Sequence, residues 1–126
     1  MTPEAERFLD KARQCLADAQ TYKPFVPRIA AREAYLAAFH AAQALVNDRT
    51  GAVAKTHRGV RTQFALLTKD EPRIDPRIRE FLGQAYDLKS RSDYGTGAES
   101  YISAETAGAA IRTADCFVEQ VAALMG

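Results

Sequence analysis

Apolar residues recur at helical spacing along almost the whole chain, and most prolines and glycines fall between the periodic segments. No convincing stretch alternates polar and apolar residues with the two-residue period of a half-buried strand. The sequence therefore predicts an all-α fold, an antiparallel bundle of four to five helices. Its 126 residues have the size of a single domain, residues 1–126, which can bury a core without disulfide or metal staples.

Capping residues and chain breakers predict where the helices begin and end. Thr2, Thr56, Asp75 and Ser103 have side chains that can accept hydrogen bonds from the free amides of a helix start. Gly51 suits a helix end, because glycine readily adopts the left-handed conformation found there. The predicted helices cover residues 3–21, 27–50, 56–68, 76–94 and 104–124. The longest irregular stretch then covers residues 95–102, either as a functional loop or as a plain connection.

The second predicted helix is rich in alanine, which predicts a central position in the bundle. Eight of its residues are alanine, and such small side chains let neighbouring helices approach closely. One stripe of this helix is mostly polar, and its members at helical spacing are Glu33, Leu36, His40, Gln43 and Asn47. We expect this stripe to line a cleft between subunits, with Gln43 and Asn47 as candidate ligand-binding residues.

A basic segment follows between residues 49 and 69, where no Asp or Glu occurs. Lys55, Arg58 and Arg61 are its candidate ligand-binding residues, and His57 lies among them at the start of the third helix. Free backbone amides at a helix start favour anions, so phosphate or a nucleic-acid backbone is the natural partner. The alternative is a solvated basic face that binds nothing.

The end of the fourth helix carries Arg91, Asp93 and Tyr94, which we take as candidate catalytic residues. Arg91 can make bidentate contacts to phosphate, Asp93 can orient it or exchange protons, and Tyr94 can stack on a base. His40 and His57 are the only histidines and are candidate acid/base groups. The alternatives are an ordinary helix C-terminus and hydrogen-bonded core histidines.

Several classes of protein are excluded by pattern. No apolar run approaches the roughly 18 residues of a membrane span, and the acidic N-terminus lacks a signal-peptide pattern, which predicts a cytoplasmic protein. Cys15 and Cys116 have no CxxC partner and are predicted to be buried thiols. There is no HExxH motif, Gly-rich phosphate loop or Gly-x-Ser-x-Gly elbow, so no metal or cofactor is expected.

Three ordered segments resemble the HEPN family, whose name stands for higher eukaryotes and prokaryotes nucleotide-binding. They are AYLAAFHAAQAL at residues 34–45, KTHRGV at residues 55–60 and RSDY at residues 91–94. The closest resemblance is to small stand-alone prokaryotic members. It implies a helical bundle that forms a homodimer. It also implies toxin–antitoxin-type modules with a minimal nucleotidyltransferase partner, and a nucleotide or RNA ligand.

The resemblance also implies a possible activity, because many HEPN proteins are metal-independent ribonucleases. Their motif is an arginine followed four to six residues later by a histidine. Arg91 matches the motif arginine, but no histidine follows His57 in this chain. Three hypotheses result: a protein that binds nucleotide, RNA or the partner; a ribonuclease using Arg91 with His40 or His57; and a purely structural bundle.

Overall fold

The computed structural model describes residues 1–126 and contains five α-helices and no strand. The helices are α1 (Pro3–Tyr22), α2 (Pro27–Thr50), α3 (His57–Thr68), α4 (Pro76–Tyr94) and α5 (Ala104–Met125), with a short 3₁₀ turn at Gly97–Ser100. The all-α helical bundle predicted from the sequence is confirmed. None of the helices combines the length and apolarity needed to cross a bilayer.

The predicted capping residues act as caps. The side chains of Thr2, Thr56, Asp75 and Ser103 each accept a hydrogen bond from a backbone amide in the first turn of the following helix. At the end of α2, Gly51 adopts a φ of 74°, the left-handed conformation that glycine tolerates best. All predicted helix bounds therefore agree with the structure to within one or two residues.

The alanine-rich helix α2 lies at the centre of the bundle, as predicted, and packs against α1, α3, α4 and α5. Its eight alanines are all fully buried. Methyl side chains keep the interaxial distances short, because helix separation depends on the side chains at the contact. The larger buried side chains fill the spaces beside this close contact; on α2 they include Tyr35, Phe39 and Leu45.

One prediction about the core is wrong. Cys15 is buried on α1, but Cys116 is exposed on α5. The buried face of α5 includes Ala114, Phe117 and Val118. Because successive residues turn by about 100°, Cys116 lies roughly 200° from Ala114 and projects away from the core.

The chain turns sharply after α4, and Gly95 makes this turn possible. A Cβ atom on Gly95 would lie 2.6 Å from the carbonyl oxygen of Arg91 and 3.1 Å from backbone atoms of Glu99 and Ser100. A larger residue would therefore force the backbone apart. The close approach brings residues 97–102 back beside the end of α4.

Overpacking α2 tests its central position. Ala41→Leu adds three carbon atoms at a fully buried position, and we expect it to lower the free energy of unfolding by about 1–3 kcal/mol. Ala17→Leu on the exposed side of α1 is the matched control and should change it by less than about 0.5 kcal/mol. Urea unfolding followed by circular dichroism measures both, and equal stability of the two variants would contradict the packing described here.

Candidate functional site

An aromatic cluster joins three helices around His57, the first residue of α3. The ring centroid of His57 lies 4.6 Å from that of Phe39, 5.5 Å from that of Tyr35 and 5.3 Å from that of Tyr86. Tyr35 and Phe39 belong to α2, one turn apart, and Tyr86 belongs to α4. The start of α3 is thus held between α2 and α4 by ring packing.

The buried hydroxyl of Tyr35 determines which ring nitrogen carries the proton in neutral His57. This hydroxyl lies 2.5 Å from Nδ1 of His57 and has no other partner, so it donates its proton to Nδ1. Neutral His57 then carries its own proton on Nε2, which makes no hydrogen bond and is open to solvent. Burial lowers the pKa of His57, and the charges of Lys89 and Arg61 lower it further. His57 is therefore a neutral hydrogen-bond donor at pH 7.

His40 is held in the opposite tautomer. The amide nitrogen of Gln43 donates to the carbonyl of Ala54 at 2.9 Å, so the amide oxygen of Gln43 faces Nδ1 of His40 at 2.8 Å. Nδ1 must donate, which leaves a lone pair on the solvent-accessible Nε2. Burial lowers the pKa of His40 despite the hydrogen bond to Gln43. Since both imidazoles contact Phe39, a proton acceptor and a proton donor lie on the same side of the bundle.

Arg61 is a cation without an anionic partner. Its guanidinium carbon lies 4.8 Å from the centre of the Tyr86 ring, one helical turn beyond His57. No carboxylate lies within ion-pair distance, and its Nε is buried without any hydrogen bond. Leaving a buried donor unsatisfied costs about 1–3 kcal/mol, and more for a charged group. The terminal nitrogens of Arg61 also lack a hydrogen bond but are not buried, which makes Arg61 the strongest anion-binding candidate in the cluster.

Asp93 forms two ion pairs, one with Lys89 on its own helix α4 and one with Arg32 that links α4 to α2. Its carboxylate lies 2.8 Å from Nζ of Lys89 and 3.1 Å from Nε of Arg32. Partial burial acts to raise the pKa of Asp93, but Lys89 and Arg32 outweigh it and hold the pKa below its ordinary value. Asp93 is thus ionised near pH 7 and occupied by two cations. The neighbouring Tyr94 is 78% exposed, with Nζ of Lys89 5.7 Å from its ring centre.

Arg91 projects from a different side of α4 from Lys89, because residues two apart on a helix differ by about 200°. Its guanidinium donates to the carbonyls of Glu99 and Tyr101, both at 3.1 Å. It makes no hydrogen bond to His40 or His57. Within one chain, the structure therefore brings Arg91 to the segment after α4 and not to the histidines.

The remaining sequence-predicted residues divide into two groups. Gln43 and Asn47 are buried, and Asn47 bonds to the carbonyl of Ala52 and the hydroxyl of Thr2, so both amides hold the chain between α2 and α3. Lys55 and Arg58 are exposed and line a shallow cleft of about 470 Å³ at the start of α3. Of the three predicted basic residues, only Arg61 reaches the aromatic cluster.

Sequence reasoning missed Tyr35 and Tyr86 as parts of this site. Tyr35 lies inside the segment that carries the HEPN resemblance, and Tyr86 precedes Lys89 by one helical turn. Their roles arise from contacts between helices, which spacing along the chain does not show. No group of three or more His, Cys, Asp or Glu side chains is placed to hold a metal ion.

Comparison with known protein families agrees with these observations. A family model described as the HEPN domain matches residues 2–124, nearly the whole chain. The chain belongs to the HEPN family. HEPN membership supports a nucleotide- or RNA-related helical protein in general. Among curated proteins, no match to this HEPN chain was found.

Acidification tests the environment of the two histidines in this HEPN protein. In the unfolded chain both have a pKa near 6.5, and in the folded chain both pKa values are lower. Below about pH 6.5 the unfolded chain therefore binds more protons, and the free energy of unfolding falls as the pH falls through the folded values.

We expect urea unfolding to give lower stability at pH 5.5 than at pH 7.5, with a smaller difference in His57→Gln. NMR titration of the two imidazoles should place both midpoints below pH 6.5. The signal that is lost in His57→Gln belongs to His57, and the remaining one belongs to His40. Midpoints at or above 6.5 would show that the rings are solvated and not held as described.

Proposed function

We propose that this HEPN protein binds phosphate groups of RNA or a nucleotide at the surface formed by His57, Arg61 and Tyr86, as the binding component of a toxin–antitoxin-type module. The observation that carries the proposal is the unpaired, partly desolvated guanidinium of Arg61. The terminal nitrogens of this guanidinium make no hydrogen bond and, unlike Nε, are not buried, so an anionic ligand could supply their missing acceptor.

The donors around Arg61 match the acceptors of a phosphate group. The guanidinium offers a planar fork, His57 offers the proton on Nε2, and the hydroxyl of Tyr86 makes no hydrogen bond within the protein. Lys89 is paired with Asp93, and Arg32 is paired with both Asp93 and Glu33, so Arg61 is the cation of this region that lacks a carboxylate partner. These contacts support a site for one phosphate.

The exposed residues at the start of α3 support a ligand with more than one phosphate. Lys55 and Arg58 have no carboxylate partner. Arg58 lies on α3 with Arg61, and Lys55 lies two residues before this helix begins. Several cations at the start of α3 and just before it suit the repeating charge of a nucleic-acid backbone. RNA is therefore favoured over a mononucleotide.

Substitution of Arg61 tests the proposal. Arg61→Ala removes a charge-assisted contact of about 1.5–3 kcal/mol, so short single-stranded RNA should bind roughly tenfold to a hundredfold more weakly. Arg61→Lys should recover only part of this affinity, because lysine lacks the fork. Arg112→Ala, which removes an exposed charge from α5, is the control and should lose less than fivefold.

The measurement is RNA binding by fluorescence anisotropy at fixed salt, with folding checked by circular dichroism. Affinity should also rise as the pH falls, since protonation of His57 adds a charge beside the phosphate. Equal affinity of wild type, Arg61→Ala and Arg112→Ala would contradict the site. Failure of all three to bind would favour the purely structural bundle.

The two histidines favour ribonuclease activity as a second candidate, because both lie beside Phe39 with Nδ1 engaged and Nε2 free. His40 Nε2 would accept the proton of a ribose 2′-hydroxyl, and the 2′-oxygen would attack the adjacent phosphorus. The fraction of His57 that is protonated would donate its Nε2 proton to the departing 5′-oxygen and return to the neutral imidazole, giving a 2′,3′-cyclic phosphate and a 5′-hydroxyl. Arg61 would stabilise the charge on phosphorus, taking the role that the family resemblance assigns to Arg91.

The binding experiment also tests this candidate. A ribonuclease would cleave the bound RNA in the presence of EDTA, and His40→Gln and His57→Gln would each abolish cleavage. A strand with 2′-deoxyribose at the cleaved position would bind but remain intact. If the RNA stayed intact in all reactions, the ribonuclease candidate would be wrong and only the proposed binding function would remain.

We also propose a homodimer, with a minimal nucleotidyltransferase as a further partner. Between Ala30 and Asn47, α2 is buried except at Arg32, Glu33, Leu36 and His40, which supports a second subunit at this stripe. Leu36→Glu should give a monomer by sedimentation at tens of micromolar, whereas Leu66→Glu on the exposed side of α3 should leave the dimer intact. A monomeric wild type would contradict the dimer. Co-purification after co-expression tests the nucleotidyltransferase separately.

A further inference from the structure

A second cavity lies at the end of the bundle, between the α1–α2 turn and the segment that follows the 3₁₀ turn. Its volume is about 540 Å³, within the range of small-ligand sites. Among its lining residues are Phe25, Val26, Pro27, Arg28, Tyr101 and Ile102. The rings of Phe25 and Tyr101 are 80% and 71% exposed, and we call this cavity the Phe25–Tyr101 pocket.

The backbone segments that carry the two exposed rings are held in place by prolines, hydrogen bonds and a buried side chain. Pro24 and Pro27 flank the turn, and the amides of Phe25 and Val26 both donate to the carbonyl of Tyr22, at 2.9 and 2.8 Å. On the other side, the Arg91 guanidinium holds the carbonyl of Tyr101, and Ile102 is buried. Rigid aromatic side chains lose little conformational entropy on binding, so two of them beside an apolar cavity form a ready stacking surface.

The charge at the rim indicates which kind of aromatic ligand fits. The side chain of Arg28 lines the pocket, is exposed, and makes neither an ion pair nor a hydrogen bond. No carboxylate lines the pocket. Apolar walls with a free guanidinium suit a flat aromatic ring attached to an anionic group, which is the chemistry of a nucleobase in a phosphodiester chain.

Helix α4 runs between the pocket and the proposed phosphate site. The hydroxyl of Ser92 donates to the carbonyl of Arg28 at 3.1 Å, and Arg32, one turn further along α2, pairs with Asp93. Tyr86 lies seven residues before Asp93, or about 10 Å along the helix axis at 1.5 Å per residue. A ligand with several phosphates could therefore contact both places.

We propose that the Phe25–Tyr101 pocket stacks a nucleobase of single-stranded RNA whose phosphate groups bind at His57, Arg61 and Tyr86. This inference rests on the proposed function. Stacking on aromatic side chains tolerates any base and adds affinity that does not depend on salt, whereas the phosphate contacts weaken as salt rises. The pocket would therefore distinguish a strand with bases from a bare sugar-phosphate chain.

The test compares a ten-residue single-stranded RNA with an abasic strand of the same length and charge. Wild type should bind the RNA about fivefold to a hundredfold more tightly than the abasic strand. Phe25→Leu and Tyr101→Leu keep apolar side chains but remove the rings, and each should reduce this preference without weakening binding of the abasic strand. Tyr22→Leu is the control, because Tyr22 is exposed but does not line the pocket.

The outcomes separate this inference from the function on which it rests. Equal affinity of wild type for the two strands, with Arg61→Ala still weakening both, would overturn the nucleobase pocket alone. No binding of either strand would overturn the phosphate site and the pocket together. Variants that bind RNA as wild type does but sediment as smaller species would show that the pocket receives a second copy of the chain, which also overturns the inference.

Discussion

The close packing of α2 is the constraint on which the rest of the structure depends. Alanine side chains let α1, α4 and α5 approach α2, which leaves little room for polar groups inside the bundle. Tyr35 is fully buried in this interior, and its hydroxyl needs a partner. Nδ1 of His57 supplies it and thereby holds the start of α3 against the bundle. The position of Arg61, one turn later over Tyr86, follows from that contact.

The buried amides of α2 have a similar effect on the other histidine. Gln43 bonds to the chain between α2 and α3 with its nitrogen, so its oxygen is left for His40. Each histidine is thus oriented by a group that is itself held by packing, which fixes both tautomers. Hydrogen bonds from buried neighbours of this kind keep the donors and acceptors of a site in place for a ligand.

The charged residues at the end of α4 have divided roles. Asp93 pairs with Lys89 on its own helix and with Arg32 on α2, and the pair with Arg32 holds α4 to α2. Arg91, the residue that matches the HEPN motif arginine, holds the segment that carries Tyr101. Its contribution to a ligand within one chain would therefore act through the shape of the Phe25–Tyr101 pocket. The arginine left free for an anion beside the histidines is Arg61, on a different helix.

The sequence by itself determined the helices and the family. Caps, prolines and Gly51 act over a few residues, so the helix bounds could be predicted closely, and three short segments were enough to indicate the HEPN family. The burial of Cys116 was predicted wrongly because an apolar residue type does not establish which side of α5 faces the core.

Only the tertiary structure decided the site. The bond between Tyr35 and His57 joins residues 22 apart in the chain, and the ion pair of Arg32 with Asp93 joins residues 61 apart. Such contacts depend on how each helix is rotated and where it sits along its neighbours. Local spacing does not encode that rotation. Spacing alone therefore made Arg91 and the histidines candidates for one site, whereas packing turned Arg91 towards the loop and Arg61 towards Tyr86.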